Sequence, residues 1–187
     1  MLADQGTGQV ARPRSRAAAP LLYLATLTLG LMAGFFFAFA VLVMPSLGKV
    51  DDRTFVVAMQ KINEGVQTGA FTFAFFGAFI FTGAAAIVHH RMGARTAARW
   101  IIGAFLLYLV AFALTFGGNI PLNNKLAAAG DPAVIADFAT VRATFNEGSW
   151  NALNAARTIA CMLALLVMVP AIALHGRAQK ALKTDVS

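Results

Sequence analysis

Between Pro20 and Val43 the chain carries no charged residue: PLLYLATLTLGLMAGFFFAFAVLV. A bilayer core is crossed by roughly 20 apolar residues in a helix, so this run is long enough to span. Three more follow, at about 69–88, 100–117 and 153–174. Lipid offers no partner to a backbone amide, which leaves a helix as the economical way through for each run. Only 12% of the residues are charged, against about 25% in soluble domains. There are too few charges to cover a water-facing surface. The expectation is an all-α protein, a four-transmembrane-helix bundle occupying 20–175. Ala38-Phe39-Ala40 resembles a signal-peptidase site behind a basic segment. The apolar run before it is too long and continues past it, so the first span reads as an uncleaved anchor.

The connections are unequal. Residues 1–19 are polar and lack hydrophobic periodicity, which reads as a disordered tail, and 176–187 form a basic tail. Met44-Pro45 is expected to end the first span and Gly117-Gly118 the third. The segment DDRTFVVAMQKINEGVQ brings Phe55, Met59, Ile62 and Val66 to helical spacing behind Asp51 or Asp52 as cap. Asp131-Pro132 then reads as a helix start, with Val134, Ile135, Phe138, Val141 and Phe145 as its apolar stripe. Two short amphipathic helices are therefore expected, one in each long connection. Gly30 and Gly34, and Ala152, Ala156, Ala160 and Ala164, form smooth faces suited to close helix packing.

Charge sets the expected orientation. Nine of the fifteen Lys and Arg lie in the two tails and the 89–99 connection, beside two acids. The long connections hold five bases and six acids. The positive-inside rule then puts both termini in the cytoplasm and both long connections outside, in a plasma (inner) membrane protein whose surrounding partner is the lipid bilayer. The net charge of +7 comes from these flanks. No basic patch interleaved with aromatics exists, so nucleic acid is not an expected partner. The single cysteine, Cys161, lies in an apolar run and reads as a packing residue.

Polar side chains gather between Gly117 and Arg157. On the fourth span Trp150, Asn154, Arg157 and Cys161 fall on one helical face. Asn119 and Asn123 flank Pro121. A charge inside a span is costly and calls for a partner or a function. Two readings stand. Arg157 snorkels to the outer interface beside a belt tryptophan, or it turns inward, held by Asn154 and by Asn119 or Asn123, and offers guanidinium donors to an anionic oxygen. Asn63 and Glu64 join such a set only if their helix face is not solvated. His89 and His90 point in different directions without a third ligand, and His175 reads as solitary, so no metal site is expected. No nucleophile motif, phosphate loop or dinucleotide fingerprint occurs.

The segments GLMAGFFFAFAVLVMP (30–45), MQKIN (59–63), NIPLNNKL (119–126) and WNALNAART (150–158) resemble the anthrone oxygenase-like family of small four-helix membrane proteins. The resemblance implies oxidation of a polycyclic anthrone to a quinone by O₂, with no metal, flavin or other cofactor. It would assign Arg157, Asn154 and Asn123 to catalysis and Asn119, Trp150 and Asn63 to a lipophilic aromatic ligand. Relatives carry a second Trp before the Asn-x-x-Arg, where this chain has Leu153, which puts the fungal type of substrate in doubt. No general base is evident, since Glu64 or Glu147 would have to reach inward. The competing reading is a non-enzymatic membrane protein that binds a lipophilic ligand or a partner subunit. Transport is disfavoured by small size and the lack of a broken-helix pair.

Overall fold

The computed structural model describes residues 15–184, with side chains from 15 to 177. The expected tail at 1–19 thus lies largely outside the described residues, as do positions 185–187. Every described element is helical: α1 (Ala18–Ala38), α2 (Met44–Leu47), α3 (Asp52–Gly65), α4 (Gly69–Arg91), α5 (Arg95–Leu114), α6 (Ile120–Ala128), α7 (Phe138–Phe145) and α8 (Glu147–Thr184). Two π-helical turns interrupt the series, π1 at Phe39–Val43 and π2 at Thr115–Asn119.

Four helices are long and apolar enough to cross a membrane. They pack in a ring, α1 against α4 and α8, and α5 against the same two. Between apolar helices in lipid the hydrophobic effect contributes little, so close backbone approach and dispersion have to hold them. The buried faces are accordingly rich in alanine: Ala25, Ala33, Ala78, Ala85, Ala104, Ala111, Ala160, Ala164 and Ala171. Tyr108 is wholly buried and donates its hydroxyl to the Phe75 carbonyl at 2.8 Å, tying α5 to α4. Leu27, Ile80, Leu106, Leu166 and Val169 face outward. At the basic end, His89 and His175 are buried and meet at 3.1 Å. His89 Nδ1 lies 2.8 Å from the Ala85 carbonyl and must donate there, so in the neutral ring its Nε2 accepts from His175 Nδ1. The expectation of a solitary His175 is overturned, because a partner 86 residues away leaves no local trace.

The other end is closed by a cap of α3, α6 and α7 around Phe55, Val56, Met59, Leu126, Phe145 and Trp150. The two expected amphipathic helices are here. Asp51 caps α3, accepting from Thr54 N at 3.0 Å and Thr54 Oγ1 at 2.6 Å. Asp137 caps α7 in the same way through Thr140. The threonine hydrogen bonds, side chain first, hold both carboxyls below the usual carboxylate range. Asp131 was the expected start of that second helix. It instead takes the Ala133 N–H in a turn, and the helix begins only after Asp137. Asn146, at φ 59°, ends α7 in the left-handed conformation and accepts from Ser149 N as α8 starts.

Neither proline ends its span. Pro45 and Pro121 each stand four residues beyond the middle of a π turn, at Val41 and Gly117. A proline ring collides with the carbonyl four residues back and leaves it without a donor. The widened turn absorbs both problems, and the helix runs on. Gly117-Gly118 therefore does not stop the third span, which continues to Ala128. Gly118 serves contact instead: a Cβ there would lie 2.7 Å from Leu153. The Gly30 and Gly34 faces meet nothing within 4 Å in this chain, contrary to the expected close contact.

Arg142 locks the cap. It donates to the Val50 carbonyl at 3.0 Å, Asp52 at 3.1 Å and Glu147 at 2.8 Å, and lies 4.2 Å over the Phe55 ring. Gln60 adds bonds to the carbonyls of Leu126 at 2.8 Å and Gly130 at 3.1 Å. Both long connections are thereby joined into one roof over the bundle.

Candidate functional site

The first turns of α8 carry the expected face. Trp150, Asn154, Arg157 and Cys161 are all buried beneath the cap. Arg157 is 5% exposed, so it turns inward and does not snorkel. Its Nε donates to Asn154 Oδ1 at 3.1 Å and its Nη1 to Thr115 Oγ1 at 3.4 Å. The guanidinium carbon stands 4.2 Å over the Phe36 ring and 5.1 Å from the Trp150 ring. No carboxylate pairs with Arg157 among the described residues. Nη2 has no hydrogen-bond partner among the described residues.

The π turns flank that arrangement. Asn154 Nδ2 donates to the Phe36 carbonyl at 3.2 Å, in the last turn of α1 before π1, a carbonyl that also takes the Phe39 N–H. The amide is thereby oriented so that its oxygen faces Arg157. Thr115 opens π2, and its hydroxyl donates to the Ala111 carbonyl at 2.8 Å, leaving lone pairs toward Arg157. Asn154 was the expected tether. Thr115, hidden in an apolar run, was not.

Asn119 and Asn123 hold Trp150, and not Arg157. Asn119 Nδ2 donates to the Trp150 carbonyl at 3.3 Å, and Trp150 Nε1 donates to Asn123 Oδ1 at 2.8 Å. Trp150 is thus held at its backbone carbonyl and at its indole nitrogen, with Phe39 and Phe145 rings 5.9 Å and 6.3 Å away.

These groups border a cavity of about 440 Å³ between the bundle and the cap. The volume falls within the roughly 300–1,000 Å³ usual for small-molecule sites. Phe35, Phe36, Phe71, Phe75 and Phe116 form apolar walls, and Arg157, Thr115, Asn119, Asn123 and Trp150 supply the polar ones. Asn63 lines it from α3. Five of the six expected site residues thus border one space, and Asn154 orients Arg157 from behind. Neither Glu64 nor Glu147 does: Glu64 pairs with Lys61 at 2.8 Å, and Glu147 is held by Arg142. Among the described residues no three His, Cys, Asp or Glu cluster as metal ligands.

A single uncompensated cation beside aromatic walls can bind a flat ligand and stabilise an anionic oxygen on it. The family model for anthrone oxygenase matches residues 68–167, which include α4, α5 and the polar face of α8. No curated protein and no solved structure matches the chain. With more than half of its length under that match, the chain belongs to the anthrone oxygenase family.

Proposed function

We propose that this membrane protein is a cofactor-independent oxygenase, or a related redox enzyme, acting on a lipophilic aromatic substrate of the anthrone or quinol type. The observation that carries the reading is Arg157, buried, without a carboxylate, and bordering an aromatic cavity. An unpaired buried charge is expensive to keep. A ligand that arrives as an anion supplies the missing partner.

The chemistry runs on the substrate's own electrons. An anthrone loses a proton to water and becomes an enolate, whose oxygen rests against Arg157 Nη2 while its ring lies along Trp150. The enolate carbon transfers an electron to O₂, and the two radicals combine into a carbon–oxygen bond. The resulting peroxide loses the remaining C–H proton as its O–O bond breaks. One oxygen atom ends in the new carbonyl and the other in water. Arg157 and its tethers act by holding negative charge where it forms, and preorganised donors of this kind are worth on the order of a hundredfold in rate. Catalysis is assigned to Arg157, with Asn154 positioning it and Asn123 positioning Trp150, and ligand contact to Asn119, Trp150 and Asn63. With the basic residues of the opposite end in the cytoplasm, the cavity sits at the outer face of a plasma membrane.

Oxygen uptake by purified protein in lipid nanodiscs, supplied with anthrone, tests the reading. Turnover that disappears in Arg157→Ala and Asn123→Ala, with helicity retained, supports it. Binding of the anthrone without oxygen uptake favours a non-enzymatic ligand carrier, and failure of both sinks the site.

A further inference from the structure

Asn119 is 1% exposed, and its Oδ1 has no hydrogen-bond partner among the described residues. The orientation of the amide is settled by its other end. Nδ2 faces the Trp150 carbonyl, which can only accept, so the nitrogen must be there and the oxygen turned away. A buried carbonyl oxygen left without a donor is an exception that calls for a cause.

No donor among the described residues reaches it, Arg157 Nη2 included. Trp150 Nε1 is spent on Asn123, Arg157 Nε on Asn154 and Nη1 on Thr115. The Thr115 hydroxyl proton goes to the Ala111 carbonyl, and Asn154 Nδ2 goes to the Phe36 carbonyl. Asn119 borders the cavity, so the donor has to come from what fills it. Thr115 and Asn119 stand one turn apart on π2, and Arg157 is bonded to Thr115. The unmet acceptor and the unmet cation therefore lie within reach of one small ligand. On the α3 wall one end of the Asn63 amide is also buried without a partner among the described residues.

Resting on the reading of this cavity as a ligand site, we infer that its ligand carries a free hydroxyl near its anionic or carbonyl oxygen, and that Asn119 selects for that hydroxyl. The anionic oxygen goes to Arg157 and the hydroxyl proton to Asn119 Oδ1. A further polar group on the ligand meets the Asn63 amide. A methyl ether or deoxy analogue leaves the buried carbonyl unpaired, and a site built to meet a hydroxyl discriminates strongly against its absence.

The test compares three probes: a dihydroxy anthrone, its dimethyl ether, and unsubstituted anthrone, which removes the donor without adding bulk. Protein carrying Trp100→Phe in nanodiscs lets quenching of Trp150 report binding. The dihydroxy probe is expected to bind roughly tenfold to a hundredfold tighter than the other two. Asn119→Leu should close the gap between the dihydroxy probe and the other two, whatever it does to their common affinity. Equal affinity for all three on the Trp100→Phe protein overturns the inference, whether or not the leucine variant folds. If Arg157→Lys then weakens all three alike, the ligand site stands and only selection by Asn119 fails. Absence of binding by any probe removes both.

Discussion

Arg157 of α8 and Phe36 of α1 form the central contact of the site, with the guanidinium carbon 4.2 Å over the ring. The same residue of α1 gives its carbonyl to Asn154. One position on the first span thus holds both the cation and the amide that steers it.

A buried charge with no countercharge lowers stability, so removing it should not harm the fold. Arg157→Met is expected to melt no lower than wild type, and about 1–3 kcal/mol of gain is in keeping with replacing a buried charge by an apolar isostere. The same variant should lose protection by anthrone-type ligands. Thermal melts with and without ligand check both halves. A large drop in melting temperature would mean the arginine is structural.

The Trp150–Asn123 bond at 2.8 Å should couple the two residues. Trp150→Phe and Asn123→Leu are each expected to destabilise, and the double variant by less than their sum. A coupling of about 1 kcal/mol is the scale of one net hydrogen bond. Denaturation of the four proteins of the cycle measures it.

Arg142→Met should loosen the roof. It removes bonds to Val50, Asp52 and Glu147 together, and Glu147 is left partly buried without its partner. Because these groups keep some exposure to water, a cost of about 2 kcal/mol is expected, below that of a fully buried pair. Limited proteolysis should then cut within 48–68 and 129–146 before any span is attacked.

Acid should fray the cap helices first. The carboxyls of Asp51 and Asp137 titrate below the ordinary 3.8 in the folded state because Thr54 and Thr140 bond the charged form. Their contribution is complete above that unfolded value and is lost as pH falls through the lower folded one. Protection from hydrogen exchange in the first turns of α3 and α7, taken relative to the intrinsic rate at each pH, is expected to fall below pH about 4, the range in which a carboxylate gains its proton. Asp51→Asn and Asp137→Asn keep a capping oxygen and should remove that dependence.

The spans and the face of α8 were legible because a regular helix repeats at a fixed angle. Trp150, Asn154 and Arg157 lie in an unbroken stretch, and their shared side follows from spacing alone. The α3 cap was legible too, since Asp51 stands three residues before Thr54. The same spacing at Asp137 and Thr140 was available, but Asp131-Pro132 is the louder signal, and proline's missing N–H suits a turn as well as a first helical residue. The π turns hid the rest. A proline reads as a stop, and nothing local shows that a helix will widen by one residue to pass it. Asn119 and Asn123 were accordingly expected in a turn, reaching for Arg157, when they lie on continuing helix and grip Trp150. Thr115, Arg142 and the His89–His175 pair find partners 42 to 92 residues away, beyond any window of periodicity.

Electrostatic attraction alone does not distinguish one anion from another. Since no carboxylate among the described residues answers Arg157, chloride, formate or acetate from a buffer will compete for it with any organic ligand. Apparent affinity should therefore fall as small anions are added, and more steeply than ionic strength alone explains. The salt chosen for purification will help decide whether activity is seen at all.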